Sequence, residues 1–145
     1  MKPSVLGSLL AGVGLANAGV TAAHSLAYPL GGAYRVPHGV ANALLLPAVM
    51  EFNAFSSLEK FARIAEMLGE KVEGLSVREA AVLAVETVKR LAKDLGVPQR
   101  LSDLGIPETA IPGMAEEAMK VARPLENNPR PVSLEEAIRI YHSVF

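Results

Sequence analysis

The sequence predicts an all-α fold: a single domain over residues 1–145, built as a bundle of about six or seven helices. Three observations carry this. Half of the residues are hydrophobic but only 5% are aromatic, a mix that suits helices better than strands, which favour β-branched and aromatic side chains. Apolar residues recur at three- and four-residue steps, as in Ala81, Val85, Val88, Leu91, Ala92 and Leu95, and no stretch alternates convincingly with the period of a strand. Ser-x-x-Glu signals at Ser56, Ser76 and Ser133 mark helix starts. At 145 residues the chain is long enough for one domain with its own hydrophobic core.

The elements follow in order. A first helix is expected from about Ser4 to Ala27. It is apolar or small on all sides, which places it in the middle of a bundle. Pro29 ends it, and Gly31-Gly32 open a loop to Pro37. A second helix begins around Pro37 or His38 and carries Val40, Ala41, Leu44, Leu45 and Val49, since Pro suits a first turn where its missing N–H is not needed. Pro47, inside it, predicts a kink or a local break. The three Ser-x-x-Glu segments are expected as capping boxes, opening helices to about Leu68 and about Leu95 and the last helix of the chain. Gly69 and Gly96 close the first two. Pro98, Gly105, Pro107 and Pro112 break residues 97–112 into short turns. A helix runs from Pro112 to Ala122, and 124–131 is a polar loop. Phe52, Phe55 and Phe61 are expected in the core.

Composition excludes several functions. Net charge is −1, so no basic excess points to nucleic acid or an anionic membrane. With no cysteine there is no disulfide, thiolate ligand or Cys nucleophile, which fits a reducing, cytoplasmic setting. The N-terminus imitates an export signal: Met1-Lys2, a charge-free stretch up to Arg35, and Ala16-Asn17-Ala18 as a small-x-small site. Its glycines, serines, Asn17, Thr21 and His24 make it only moderately apolar, and its pattern runs on past Ala18. A buried helix is therefore expected rather than a cleaved or membrane-spanning one.

Chemistry concentrates around two histidines. His24 and Tyr28, four residues apart, share a helix face, and His38 follows a Gly-rich reversal. A helix end, a tight loop and a helix start can bring two imidazoles to one ion, and imidazole suits iron, zinc, nickel and copper. A catalytic metal needs at least three protein ligands, so spacing alone leaves open that both are simply hydrogen-bonded side chains. His142 in the last helix reads as a packed or surface residue. Glu116-Glu117 and Glu135-Glu136 read as first-turn or solvated acids, and Arg35 and Arg130 as surface charges by default that could meet a phosphate or carboxylate. Asn42 and Asn53 read as hydrogen-bond partners of loop backbone.

The run Ala11-Gly12, Asn17-Ala18-Gly19, His24-Ser25-Leu26-Ala27-Tyr28-Pro29-Leu30-Gly31-Gly32, Pro37-His38-Gly39-Val40-Ala41-Asn42, Leu46-Pro47 and Glu51-Phe52-Asn53 resembles the long signature of iron-dependent (group III) alcohol dehydrogenases. It covers residues 11–53. Asn128-Pro129-Arg130 before a final helix with Ile140-Tyr141 resembles the family's C-terminus. The resemblance implies the helical, metal-binding C-terminal domain of an enzyme whose N-terminal α/β domain binds NAD(P). It implies iron or zinc held by one Asp and three His, two of which match His24 and His38. In the whole enzyme the ion acts as a Lewis acid on an alcohol or aldehyde oxygen while hydride passes to or from the nicotinamide.

Three departures qualify this. The family's other two ligands are an Asp and a His four residues later. Asp94 and Asp103 are the chain's aspartates, and neither is followed by that His. Tyr28 stands where many members carry a His; its hydroxyl is a candidate contact to substrate or to the surroundings of the ligands. Nothing in these residues resembles the nucleotide domain, which is expected to be missing from this chain: Gly12-Val13-Gly14 and Gly19 lie in a helical pattern without the preceding strand that a dinucleotide motif requires. The expectation is a partial metal site, inactive alone and completed by a separate nucleotide-binding chain, or a non-catalytic helical module. For the helical module a homo-oligomer would cover the exposed apolar face; the expected partner is thus a second copy or a separate nucleotide-binding chain.

Overall fold

A computed structural model describes the backbone of residues 3–145. Met1-Lys2, which head the signal-like stretch, lie outside the described residues. Helices α1 (Pro3–Ala18), α2 (Ala22–Tyr34), α3 (His38–Ala54), α4 (Leu58–Met67), α5 (Val77–Asp94), α6 (Ile111–Met119), α7 (Ala122–Glu126) and α8 (Leu134–Ser143) follow one another. Two 3-10 turns, Ser102–Leu104 and Glu108–Ala110, lie between α5 and α6. There is no strand among the described residues. The all-α expectation holds, with α7 and a divided first helix raising the number of elements.

The main core lies where α2, α3, α6 and α8 meet. Leu26, Leu30, Leu45, Leu101, Ile106 and Ile111 are sealed in it, with Tyr141 the largest fully buried side chain. The Tyr141 hydroxyl donates to the Leu26 carbonyl at 2.6 Å, so the phenol is not left unsatisfied. A second, smaller cluster joins the α4–α5 hairpin to the end of α3 through Ala54, Phe61, Ala65, Ala81, Ala84 and Val85.

The expected helix from Ser4 to Ala27 is broken in two. Gly19 takes a left-handed conformation at φ 73°, and a Cβ there would stand 2.6 Å from the Asn127 side-chain nitrogen. Thr21 is extended, and α2 leaves α1 at 105°. The central, buried position expected of the whole segment belongs to α2 alone. All of α1 for which side chains are described is exposed, including Leu9 at 58% and Leu10 at 61%. Among the described residues no single helix is long and apolar enough to cross a membrane, although the bent α1–α2 pair passes by length and composition.

Proline placement differs from expectation in two places, Pro29 and Pro124. Pro29 does not end its helix; α2 runs through it to Tyr34. A proline inside a helix costs about 3 kcal/mol, and here the burial of Leu26, Ala27, Pro29 and Leu30 offsets it. Of the two outcomes expected at Pro47, a kink or a local break, the break does not form. Pro124 is buried inside α7, a short helix within the expected polar loop.

The capping boxes at Ser76 and Ser133 form, each Ser accepting from a Glu N–H and each Glu reaching back. The expected box at Ser56 does not. Ser56 and Ser57 donate their N–H groups to Asn53 and Ala54 in the turn that closes α3. Ser57 becomes the cap, without a side-chain bond. Gly69 and Gly96 adopt positive φ just after α4 and α5, as expected. Phe61 is core and Phe52 half-buried, but Phe55 is exposed, covered on one face by the Arg78 guanidinium at 4.8 Å. Leu91 and Leu95 are also exposed, although Ala92 beside Leu91 in the same turn is buried.

Candidate metal centre

The reversal between α2 and α3 is built by the chain's end caps. Arg35 sits in the left-handed region at φ 56°, donating its N–H to Gly31 while Val36 donates to Leu30. Pro37 precedes α3 at φ −55°, and Ala41 donates to its carbonyl. The turn is therefore only three residues long. It lays the first turn of α3 against the exposed side of α2, so that His38 meets side chains that lie one to three turns before the end of α2.

The structure brings His24 and His38 together. Their ring centroids lie 5.3 Å apart with the planes tilted by 57°. Tyr28 stands beside them, its ring 6.3 Å from that of His38 at 39°. His24 is half-buried, whereas His38 and Tyr28 are exposed. Burial pushes the His24 imidazole below its ordinary pKa, and charge on His38 adds to the effect. Neutral imidazole is the ligating form, so both causes favour a metal-ready His24. A pair of imidazoles at this separation fits half of a divalent metal's shell.

Among the described residues, no third His, Asp or Glu joins the pair. Asp94 lies at the end of α5, and Asp103 accepts from the Gln99 and Arg100 N–H groups. His142 is exposed and faces Glu108 at 3.4 Å. On one side of the pair, a recess of about 490 Å³ is walled by His24 and Asn42 with Leu15 and Leu46. On another, a groove of about 760 Å³ runs from Tyr28 past Gly32 to Gly113 and Glu117.

The two asparagines expected to hold loop backbone make other contacts. Asn42 places its amide nitrogen 3.0 Å from the His38 carbonyl and within 3.4 Å of both His38 ring nitrogens. Asn53 and Asn128 form a reciprocal buried amide pair at 2.9 and 2.8 Å. Asn128 also bonds the Ala22 N–H and the Arg130 carbonyl. Arg130 is not a free surface charge: it pairs with Glu136 at 2.7 Å and lies 4.1 Å over the Phe52 ring. Spacing could have found the Asn42 contact, which is four residues from His38 on one helix face. The Asn53–Asn128 pairing spans 75 positions and leaves no local signal.

A family model described as "Fe-containing alcohol dehydrogenase family, C-terminal" matches residues 2–145. The 1,3-propanediol dehydrogenase of Citrobacter freundii is 46% identical over 138 residues, covering 95% of this chain and 35% of that protein. The lactaldehyde reductase of Escherichia coli (strain K12) is 44% identical over 140 residues, covering 97% and 36%. Among solved structures, an alcohol dehydrogenase from Oenococcus oeni superposes with a TM-score of 0.89 at 38% identity, covering 94% of this chain and 35% of that one. A 1,3-propanediol oxidoreductase superposes at 0.85 with 45% identity, covering 88% and 33%. The chain thus spans about a third of the length of the relatives it matches.

Proposed function

Because this chain belongs to the Fe-containing alcohol dehydrogenase family, as its C-terminal helical part, we propose that it is the metal-holding portion of an NAD(P)-linked alcohol or aldehyde oxidoreductase. The observation that carries the reading is the approach of His24 and His38 to 5.3 Å between ring centroids. Each imidazole would offer one ring nitrogen to a divalent iron or zinc ion, and the partner of its other nitrogen would fix the ring. The bound ion supplies Lewis acidity to an alcohol or carbonyl oxygen. Tyr28 presents a hydroxyl beside the pair, able to donate to or accept from a substrate oxygen. The relatives' names point to small alcohols and aldehydes as the substrate class.

The remaining ligands and the NAD(P) site belong, in this reading, to further polypeptide: an upstream portion or a separate nucleotide-binding chain. By itself the chain is inactive. Metal titration of wild type, His24→Ala and His38→Ala tests the pair, and equal binding by all three removes both residues as ligands. Turnover of any alcohol by the purified chain with NAD(P) and added iron would overturn its inactivity.

A second reading is favoured by α1. Its exposed, charge-free surface fits a helical interaction module that associates with a second copy of itself. The composition supports a cytoplasmic setting, and an intact Met1 or Lys2 end in the native protein's mass would exclude cleavage after Ala18.

A further inference from the structure

Resting on the metal reading of His24 and His38, we infer that Asn42 is a positioning residue: its amide lies over the His38 ring face, holds one rotamer, and leaves both ring nitrogens free in the plane for a divalent cation.

The distances carry this. The Asn42 amide nitrogen is 3.4 Å from His38 Nδ1 and 3.2 Å from Nε2. A hydrogen bond in the ring plane approaches one nitrogen along its lone pair and stays well away from the other. Near-equal contact with both is met above the ring. The same amide nitrogen donates to the His38 carbonyl at 3.0 Å, which anchors it to the first turn of α3. His38 is thus bounded by the amide of Asn42 and by the rings of His24 and Tyr28. Without such contacts, an exposed side chain exchanges rotamers on the ps–ns timescale.

The orientation of the amide carries a cost. Asn42 Oδ1 is buried and has no donor, and an unpaired buried carbonyl is destabilising. A half-turn of the amide would not relieve it, because the oxygen would then face the His38 carbonyl, acceptor against acceptor. An unsatisfied group kept beside a candidate site calls for a role that fold stability does not supply. Holding His38 supplies one. An apolar residue of similar size should therefore fold at least as well and position the ring less well.

The test uses the full chain with Asn42→Leu and Asn42→Ala. In the metal-free protein, side-chain NMR couplings of His38 report its rotamer. Cobalt(II) titration, followed by visible absorption, reports affinity. Expected are a single His38 rotamer in wild type, averaged couplings in both variants, unchanged His24 couplings, and a cobalt affinity about tenfold lower. For Asn42→Leu the melting temperature should be unchanged or raised. Wild-type His38 couplings in both variants overturn the inference. So does wild-type cobalt affinity in both, if His24→Ala and His38→Ala lose binding. If those two histidine variants bind cobalt as wild type does, the metal reading fails alone, and the metal-free couplings still decide the role of Asn42.

Discussion

Asn128 ties three segments together through one side chain: the start of α2 at Ala22, the end of α3 at Asn53, and the turn at Arg130. Both α2 and α3 carry a histidine of the candidate site, so this amide helps set where the two helices meet. Asn128→Ala would leave the buried Asn53 amide unpaired, and the expected loss is about 3 kcal/mol in denaturant unfolding, from the cost of orphaned buried groups. Replacing Asn53 and Asn128 together by Leu should recover part of that loss, because neither side-chain amide is then left without the other, while the Ala22 N–H and the Arg130 carbonyl still lose their partner. Glu136 carries a pH dependence. Its hydrogen bonds to Ser133, chiefly, and the charges of Arg130 and Arg139 hold its carboxyl below the usual carboxylate range. The folded state therefore binds this proton less readily than the unfolded chain. The stabilisation is present above the unfolded value and is lost as pH falls through the folded value. A melting temperature followed from neutral to acid pH should show that loss, and Glu136→Gln should flatten it; an identical acid limb in the variant would contradict this assignment.

At the scale of elements, the three expected capping boxes separate into two that form and one that does not. Ser76→Ala and Ser133→Ala should each cost about 1 kcal/mol, the usual worth of a lost N-cap. Ser57→Ala should cost much less, because its side chain makes no cap bond. Thermal melts of the three variants under one condition rank them directly, and an equal loss at Ser57 would contradict the account. The failed box has a local cause: the turn closing α3 uses both serine N–H groups, which moves the cap by one residue and takes Glu59 out of register. Pro29 illustrates the opposite balance. Its backbone rule favours ending a helix, but Leu26, Ala27, Pro29 itself and Leu30 are buried, and packing carries the helix on to Tyr34.

At the scale of the molecule, α1 stands apart from the rest. It departs from α2 at 105° and presents Val5, Leu9, Leu10, Val13 and Leu15 to solvent, each more than half exposed. Surfaces of this kind are ordinarily covered by association. On the self-association reading, sedimentation should show a dimer or larger species, and Leu9→Lys with Leu10→Glu should shift it toward monomer while the melting temperature of the main core stays close to wild type. A strictly monomeric wild type at high concentration would count against this. The chain's span of about a third of its relatives' length allows upstream polypeptide to occupy the same face instead, in which case the α1 substitutions would weaken that association rather than a dimer.

The sequence by itself determined the all-α class, the starts of α3, α5 and α8, the glycine stops after α4 and α5, and the membership of His24 and His38 in one signature. These depend on local chemistry, namely periodicity, capping side chains and residue spacing, which is written within a few positions of where it acts. Only the tertiary structure decided the rest. The close approach of Asn127 to Gly19, and its bond to the Val20 carbonyl, join positions more than a hundred residues apart. The persistence of α2 through Pro29 depends on what packs around it. Asn53 finds its partner across 75 positions, and Arg130 finds the face of Phe52. Long-range contacts of this kind leave no periodic trace in the chain, because the free energy that selects them exists only once the helices have met.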